Sequence, residues 1–344
     1  MQIIKDILSF YKFKKNEHKF KIGFFCESSF IFEYLEPYIL KKQKKNKVLI
    51  ISFEEIDNKS LDKSSVFVFY TKIFRELVFL TLRLKILYSS TPNLNQTIFQ
   101  KTKTSKCKYI YLQHTPVSMT MIYTEDAFDH FDAIQVISKY QYDEMIEIKL
   151  RNNLKIKVFK SKYQFIKKQI DSNQNIKADT DLLIAPSWNS GFYKLNCHII
   201  LKDLLDKNNI SYKFRPHPMS FKKKEITKKE LIDLKIPLDL SNFFNPYKYN
   251  FFLSDWSGIF IEYALIIKRK AFLINTPKKM VNEKYLKFKN QPAEITLRNK
   301  IGKTFDIDKI ENIINDILDI KNNNNNLILT EDISVKKMIY DNFY

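Results

Sequence analysis

The stretch "FFLSDWSGIFIEYAL", residues 251 to 265, decides how the second half of the chain folds. An apolar run typical of a buried strand breaks at residues 254–258, reading Ser-Asp-Trp-Ser-Gly, and resumes at once as an apolar helix with one acid, Glu262. A buried strand that leads directly into a helix is typical of a parallel sheet with helices on both faces. We therefore predict an α/β fold.

Apolar runs that alternate with helical patterns extend this prediction to the whole chain and indicate two parallel sheets. The first half has predicted strands at residues 21–28, 47–53, 65–70, 85–90, 108–114 and 132–138. The second half has predicted strands at residues 181–188, 210–218, 249–258 and 270–277. At 344 residues, about two domains are expected. We predict domains at 1–165 and 181–328, a polar linker at 166–180, and a last helix at 329–344 that packs back toward the first domain.

Composition points to a globular protein, with 44% apolar and 15% aromatic residues. No run of 18 apolar residues occurs, and the first residues lack the apolar core of a secretory signal, so we expect a cytoplasmic protein. Three cysteines, Cys26, Cys107 and Cys197, lie far apart in apolar contexts and are predicted to be reduced core residues.

The formal net charge of +20 comes from 52 lysines and only six arginines. Scattered lysine in a chain rich in Asn and Ile is typical of coding bias, and no nucleic-acid partner is predicted. Lysine clusters such as 41–47 and 221–230 fit a solvated face, and they also fit attraction to an anionic bilayer.

Residues 3 to 14 bear on the attraction to a bilayer, because their pattern is that of an amphipathic helix. The apolar residues share one helical face, and three polar residues lie off that face: Ile3, Ile4, Ile7, Leu8 and Tyr11 on the face, with Lys5, Asp6 and Lys12 off it. Such a stripe is typical of a helix that lies on a membrane surface, and equally of a helix docked on the first domain.

The break in the opening stretch places polar residues at a helix start. Ser254 or Asp255 alone is explained as a cap that accepts the free amide hydrogens of the first turn. A cap does not explain Gly258, because glycine weakens a helix start unless something approaches the backbone closely. A phosphate at a helix N-terminus is such a group, and Glu262, one turn deeper, would take ribose hydroxyls. We predict donor-nucleotide contacts from Asp255, Ser257, Gly258 and Glu262.

Polar residues also follow other predicted strands, at the edge where parallel sheets bind ligands. In "YKFRPHP" (212–218), Arg215 offers a bidentate fork for phosphate oxygens, and His217 is held between two prolines. We predict both as donor-binding residues; the alternative is an Arg-Pro turn with a surface histidine. Ser187, after the strand at 181–188, is a further candidate.

His114 ends the strand predicted at 108–114 and is the predicted catalytic residue. Histidine is the natural general base for an acceptor hydroxyl near neutral pH. The alternative is a His-Thr-Pro turn satisfied by local hydrogen bonds. Glu27, after the first strand, is the second candidate for the base.

Several catalytic motifs are missing from the sequence: the Walker loop, GxGxxG, GxSxG, HExxH and any aspartate-rich metal motif. A transferase that relies on a helix dipole, arginine and histidine fits what remains. No metal and no cofactor are expected.

Four motifs, "HTP" (114–116), "APSW" (185–188), "RPHP" (215–218) and "SDWSGIFIEYAL" (254–265), resemble in this order the CDP-glycerol glycerophosphotransferase family of teichoic acid and related surface-polymer synthesis. The resemblance implies a GT-B fold, with two Rossmann-like domains whose parallel sheets face each other across a cleft. It places the acceptor on the first domain and the donor on the second. The catalytic base falls on His114, the RxHP motif on Arg215 and His217, and the nucleotide motif on Asp255, Ser257 and Glu262.

Two departures from the family pattern matter. The usual His-Gly-Thr is here His114-Thr115, and the usual Ser-Ser pair is Ser257-Gly258. The resemblance implies an enzyme that uses CDP-glycerol or a similar CDP-alcohol as donor and transfers the alcohol phosphate to a lipid-linked or polymeric surface-glycan acceptor, at the inner face of the cell membrane, with release of CMP. The alternatives are a GT-B glycosyltransferase with a nucleotide-sugar or CMP-sialic-acid-type donor in capsule or lipooligosaccharide synthesis, and a basic binding module without catalytic activity.

Overall fold

The computed structural model describes residues 1–58, 60–173, 176–241, 244–323 and residue 343. The chain divides into two compact units. Unit 1 contains Met1–His114 and Tyr123–Phe165, and unit 2 contains Thr115–Ile122 and the chain from Ile166 onward. Apart from Phe343, the helix predicted at 329–344 lies outside the described residues. The eight residues that follow His114 thus cluster with unit 2.

Unit 1 contains a seven-stranded parallel sheet in the order β3-β2-β1-β4-β5-β6-β7. Its strands are β1 (Ile22–Cys26), β2 (Val48–Ser52), β3 (Val66–Val68), β4 (Ile86–Ser89), β5 (Lys108–Leu112), β6 (Ala133–Val136) and β7 (Lys157–Lys160). Its helices include α1 (Gln2–Asn16), α2 (Ser29–Gln43), α3 (Lys72–Leu80) and α4 (Lys139–Arg151). Helix α5 (Gln164–Asn173) begins in unit 1 and continues into unit 2.

The strand-to-helix transitions of unit 1 have local causes. Ser28 caps α2 by accepting the amide hydrogen of Ile31 at 3.3 Å, and Ser138 caps α4 by accepting that of Gln141 at 3.2 Å. The central strands β1 and β2 are buried because helices cover both faces of a parallel sheet. Strand β1 ends where the buried Cys26 is followed by the exposed Glu27.

Unit 2 contains a five-stranded parallel sheet in the order β12-β11-β10-β8-β9. Its strands are β8 (Thr180–Ile184), β9 (Tyr212–Phe214), β10 (Tyr249–Ser254), β11 (Ala271–Ile274) and β12 (Gly302–Phe305). The helices are α6 (Cys197–Lys207), α7 (Pro218–Lys222), α8 (Lys228–Asp233), α9 (Ile259–Ile267), α10 (Ala293–Thr296), α11 (Arg298–Ile301) and α12 (Glu311–Asn323).

The predicted α/β class with two parallel sheets is confirmed. Every predicted strand overlaps an observed strand. Strands β7 and β12 were not predicted, because β7 is a mostly exposed edge strand and β12 begins with glycine and lysine. Helix α5 overlaps the segment predicted as a linker at 166–180. The arrangement of the two units across a cleft stays a prediction.

Two further sequence-based expectations can be compared with the described residues. The three cysteines are free and buried, as predicted. No helix in the described part of the chain is both long enough and apolar enough to span a membrane.

Candidate functional site

The carboxylate of Asp255, at the end of β10, is fully buried in unit 2. Its Oδ1 accepts the amide hydrogens of Ser187 at 2.8 Å and Trp256 at 2.6 Å, and its Oδ2 accepts the hydroxyl hydrogen of Ser190 at 2.5 Å. Both oxygens are therefore used inside the unit, where they tie the turn after β10 to the loop after β8. The predicted donor contact of Asp255 stays a prediction.

Arg298, which begins α11, holds the same turn from the other side. Its guanidinium donates to the carbonyl oxygens of Asp255 and, at 2.6 Å, Ile274, and it lies 4.1 Å from the centroid of the Trp256 ring. Burial lowers the pKa of Arg298 to about 10, so the side chain remains protonated at neutral pH. Arg298 was not predicted from the sequence, because its role depends on contacts across unit 2.

Gly258 precedes the first residue of α9 and lies at a close approach of another segment, while its predicted phosphate contact stays a prediction. A Cβ atom at this position would lie 2.5 Å from Cγ1 of Val117, in the segment 115–122. The backbone of Gly258 has φ −58°, which any residue adopts, so space and not conformation selects glycine here. The glycine is thus explained by the packing of Val117.

Ser257 and Glu262 lie on either side of this glycine. Ser257 is largely buried, and its hydroxyl makes no hydrogen bond within the described residues. Glu262 is buried one turn deeper on α9, and its predicted ribose contact stays a prediction. Of the two, Ser257 has the side chain with unused hydrogen-bonding capacity.

Arg215, directly after β9, is held by the segment that precedes β10. Its Nη1 donates to the carbonyl and hydroxyl oxygens of Ser241 at 2.8 and 3.1 Å and lies 3.5 Å from Oδ2 of Asp239. One nitrogen of the guanidinium is therefore committed to the protein. Its Nε and Nη2 make no hydrogen bond within the described residues, so a planar donor pair remains for a ligand.

His217 caps the short helix α7, since its Nδ1 accepts the amide hydrogen of Met219 at 3.1 Å. With Nδ1 as the acceptor, the proton of the neutral ring belongs on Nε2, which is then a donor. Burial, together with the positive charges of Lys279 and Arg215, lowers the pKa of His217 to about 3. The ring is thus a neutral N–H donor in a positively charged neighbourhood.

Lys279, which follows β11, was not among the predicted site residues. It is 6% exposed, and its Nζ lies 4.8 Å from the centroid of the Trp188 ring. No described residue accepts a hydrogen bond from this ammonium group. Burial lowers the pKa of Lys279 to about 8, against the opposing charges of Glu294, Asp255 and Glu225. A buried lysine without an acceptor is costly, and this arrangement is typical of a site whose acceptor is a ligand.

Two neighbours of Lys279 complete this edge of the sheet. The hydroxyl oxygen of Ser187 is buried and has no hydrogen-bond partner within the described residues. The half-buried ring of Trp188 lies between Lys279 and His217, with its centroid 6.4 Å from that of the histidine ring. Unused donors and positive charge therefore surround Trp188.

We name this group the basic edge: Ser187, Trp188, His217, Ser257 and Lys279. Its members follow four neighbouring strands, in the order β11, β10, β8 and β9, and so lie at the carboxyl ends of one parallel sheet. A lysine, a neutral imidazole N–H and two hydroxyls that make no hydrogen bonds are suited to phosphate oxygens.

Glu294, on α10, is a buried acid close enough to Lys279 to affect its pKa. Both carboxylate oxygens lie 3.0 Å from the amide nitrogen of Ser118, in the segment 115–122. Burial raises the pKa of Glu294 to about 7, although the hydrogen bond from Ser118 opposes this rise. Glu294 therefore joins the basic edge to the segment that directly follows His114 in the chain.

The two candidates for the general base lie in unit 1. The ring of His114 makes an edge contact with that of Tyr34 at 5.5 Å, and its carbonyl accepts the hydroxyl hydrogen of Tyr163 at 2.7 Å. Nδ1 of His114 is buried and has no partner within the described residues. Burial lowers its pKa to about 4, so the ring is neutral at pH 7. Glu27 is exposed and accepts a hydrogen bond from Thr91 at 3.1 Å.

The structure thus separates these predicted residues of unit 2 into two groups. Ser187, His217 and Ser257 belong to the basic edge, and Arg215 lies near enough to influence the pKa of His217. Asp255 and Gly258 shape the loops that support this edge. Lys279 was missed although it follows a strand like the others, because one lysine among 52 gave no signal. In the described parts of the chain, no cluster of His, Cys, Asp or Glu is arranged to hold a metal ion.

Comparison with known proteins gives architecture alone. No protein-family model matches the sequence, and no curated protein matches it. UDP-N-acetylglucosamine 2-epimerase from Rickettsia bellii is 13% identical with a TM-score of 0.47, over 88% of this chain and 96% of that one. E. coli heptosyltransferase WaaC with ADP-2-deoxy-2-fluoro heptose is 9% identical with a TM-score of 0.39, over 87% of this chain and 99% of that one. Similarities of this size do not extend to activity.

The packing of Val117 on Gly258 predicts a non-additive pair of substitutions. Gly258→Ala should destabilise the protein by about 1–3 kcal/mol, because the new methyl group overlaps Val117. Val117→Ala removes the overlapping group, so the double variant should be more stable than the sum of the two single effects predicts. Urea unfolding of the four proteins measures this coupling. Additive effects would show that the glycine is required for some other reason.

Proposed function

We propose that the protein is a transferase that binds a nucleotide-activated donor through the diphosphate at the basic edge of unit 2. The observation that carries this proposal is Lys279, a buried lysine whose ammonium group has no acceptor in the part of the chain that the structure describes, beside Trp188 and His217. An acceptor for such a group must come from a ligand, and an anion at the carboxyl ends of a parallel sheet is the simplest one.

The donor proposed is CDP-glycerol or a similar CDP-alcohol. Lys279, the Nε2–H of His217 and the hydroxyl of Ser257 bind the diphosphate oxygens, and Arg215 adds its free guanidinium edge. In the reaction, an acceptor hydroxyl oxygen attacks the β-phosphorus, the bond from this phosphorus to the bridging oxygen breaks, and CMP leaves with the bonding electron pair. The cationic and N–H groups stabilise the negative charge that develops on the phosphate oxygens.

His114 is proposed as the general base that takes the proton of the acceptor hydroxyl. Its ring is neutral at pH 7, since burial lowers its pKa to about 4, so it can accept a proton. A surface-glycan hydroxyl, lipid-linked or polymeric, is the acceptor proposed. These assignments rest on the motif order from His114 to Glu262, which resembles that of glycerophosphotransferases of surface-polymer synthesis.

A nucleotide sugar is the second candidate donor, because the departure Ser257-Gly258 leaves one hydroxyl where the resemblance implies two. The basic edge then binds the departing nucleotide while the acceptor hydroxyl attacks the anomeric carbon. Thermal-shift measurements with CDP-, CMP-, UDP- and GDP-linked donors separate these candidates. A donor present at 100 times its dissociation constant stabilises the protein by about 2.7 kcal/mol.

Lys279→Met is the most direct test of the diphosphate site, with Lys278→Met as the matched control. Loss of a charged hydrogen-bond donor should weaken binding of CDP about tenfold to a hundredfold in calorimetry. Lys278 is the exposed neighbour of Lys279, and its removal should leave the affinity unchanged. The melting temperature of Lys279→Met should stay the same or rise, because a buried charge is removed. Equal affinities of the two variants would refute the site.

The affinity for CDP should also depend on pH in a defined direction. The ammonium form of Lys279 binds phosphate, and its pKa in the free protein is about 8. Affinity should therefore be constant just below pH 8 and fall as the pH rises above it. In Lys279→Arg the decline should move to higher pH, because a guanidinium group stays protonated. A wild-type affinity that is flat from pH 7 to about 10 would contradict this assignment.

His114→Ala separates binding from chemistry. Nucleotide binding should be normal, while turnover of the donor identified by thermal shift should fall about 100-fold to 10,000-fold, as is typical for a lost general base. His130→Ala, at an exposed histidine of the same unit, is the control and should keep full turnover. Normal turnover by His114→Ala would remove this residue from the mechanism and leave Glu27 as the candidate. A binding module without catalytic activity would show no turnover in any of the proteins.

A further inference from the structure

Helix α1 contacts the rest of unit 1 through one narrow face. Asp6 and Phe13 are fully buried, and the ring of Phe10 lies against those of Phe69 and Phe74 at centroid distances of 6.5 and 5.7 Å. These contacts pack α1 on the strand β3 and the helix α3. Because this face packs against unit 1, it also determines the direction in which the other side chains of α1 point.

Polar contacts near both ends of α1 fix its rotation about its own axis. Near the start, Oδ1 of Asp6 accepts the amide hydrogen of Tyr70 at 2.8 Å, and Oδ2 accepts that of Thr71, also at 2.8 Å, just before α3. Near the end, Nζ of Lys14 donates to the carbonyl oxygen of Thr81 at 2.8 Å and to the carboxylate of Glu17. Because these groups are buried or half-buried, turning the helix would leave them unsatisfied.

The apolar stripe predicted in residues 3 to 14 does not lie on the buried face. At about 100° per residue, it covers about 140° of the helix circumference on the side away from Asp6 and Phe13. Its five side chains are between 51% and 66% exposed: Ile3, Ile4, Ile7, Leu8 and Tyr11. A helix docked through its stripe would have buried these residues. The structure therefore excludes the docked-helix alternative for the stripe.

Lysines border this exposed stripe. Lys12 and Lys15 are exposed; at the same angular spacing Lys12 lies beside Leu8 at one edge of the stripe, and Lys15 continues the stripe one turn beyond Tyr11. An exposed apolar surface next to positive charge is complementary to a bilayer that contains anionic lipids, whose acyl region takes the apolar side chains and whose headgroups attract the lysines. We propose that α1 binds flat on an anionic membrane surface with this stripe inserted.

A second copy of the chain is a poorer occupant of the same surface. A stable dimer interface buries about 800 Å² on each partner, more than five half-exposed side chains supply. A two-fold axis through α1 would also bring the lysines of both copies together. The charge and the small area both favour a lipid surface. This proposal is independent of the donor site, because it depends on unit 1 alone.

Vesicle co-sedimentation of the full chain tests the stripe. The wild type should bind phosphatidylcholine vesicles that contain phosphatidylglycerol at low salt, and binding should weaken as salt is added. Ile4→Ser combined with Leu8→Ser should weaken binding at least about tenfold, since two inserted side chains are lost. The control pair, Leu150→Ser with Leu286→Ser, changes two other exposed leucines and should bind like the wild type.

A second pair of variants separates local from overall charge. Lys12→Gln with Lys15→Gln and Lys228→Gln with Lys229→Gln lower the net charge equally, and all four lysines are exposed. Only the first pair should weaken binding. Equal loss in both pairs, or equal binding by the stripe variant and its control, would overturn the proposal. So would a wild type that does not sediment with anionic vesicles, or a dimer in light scattering that the stripe variant converts to a monomer.

Discussion

The buried carboxylate of Asp255 is the constraint on which the basic edge of unit 2 depends. It accepts hydrogen bonds from the loop after β8 and from its own turn after β10, so the two loops cannot move independently. Arg298 also links the end of β11 to this turn, because its guanidinium donates a hydrogen bond to the carbonyl oxygen of Ile274. The negative charge of Asp255 favours the protonated form of Arg298 and so offsets part of the cost of burying the guanidinium. As a result, Ser187, Trp188 and Ser257 are placed by buried contacts.

Rigid loops explain how the protein tolerates Lys279. An ammonium group buried without an acceptor is unfavourable, and a flexible loop would relieve the cost by turning the side chain to water. Here the Trp188 ring takes part of the charge through its face, and nearby carboxylates such as Glu294 favour the protonated form. The rest of the free-energy cost of burying the ammonium group remains in the folded state, as is common at ligand-binding sites. The same fixed environment keeps His217 neutral.

The sequence predicted the fold well because the signals that determine a parallel sheet are local. The strand segments 48–51 and 251–253 are apolar throughout, and each is followed directly by a serine. The site was predicted less completely because its signals are not local. Gly258 lies at a close approach of Val117, which is far away in the sequence, and its predicted phosphate contact stays a prediction. Nothing in the sequence near Asp255 indicates that its carboxylate is used by Ser187 and Ser190.

Lysine is the residue type whose role is hardest to predict from this sequence. With 52 lysines, neither the number nor the spacing of the residues separates a binding lysine from a solvating one. Burial makes the distinction at Lys279, whose side chain is buried and has no acceptor within the described residues. On α1 the distinction comes from the opposite property, because Lys12 is exposed and is distinguished by the apolar stripe beside it. The same residue type therefore indicates a phosphate in one place and a lipid surface in another, and in both cases the surrounding apolar side chains carry the information.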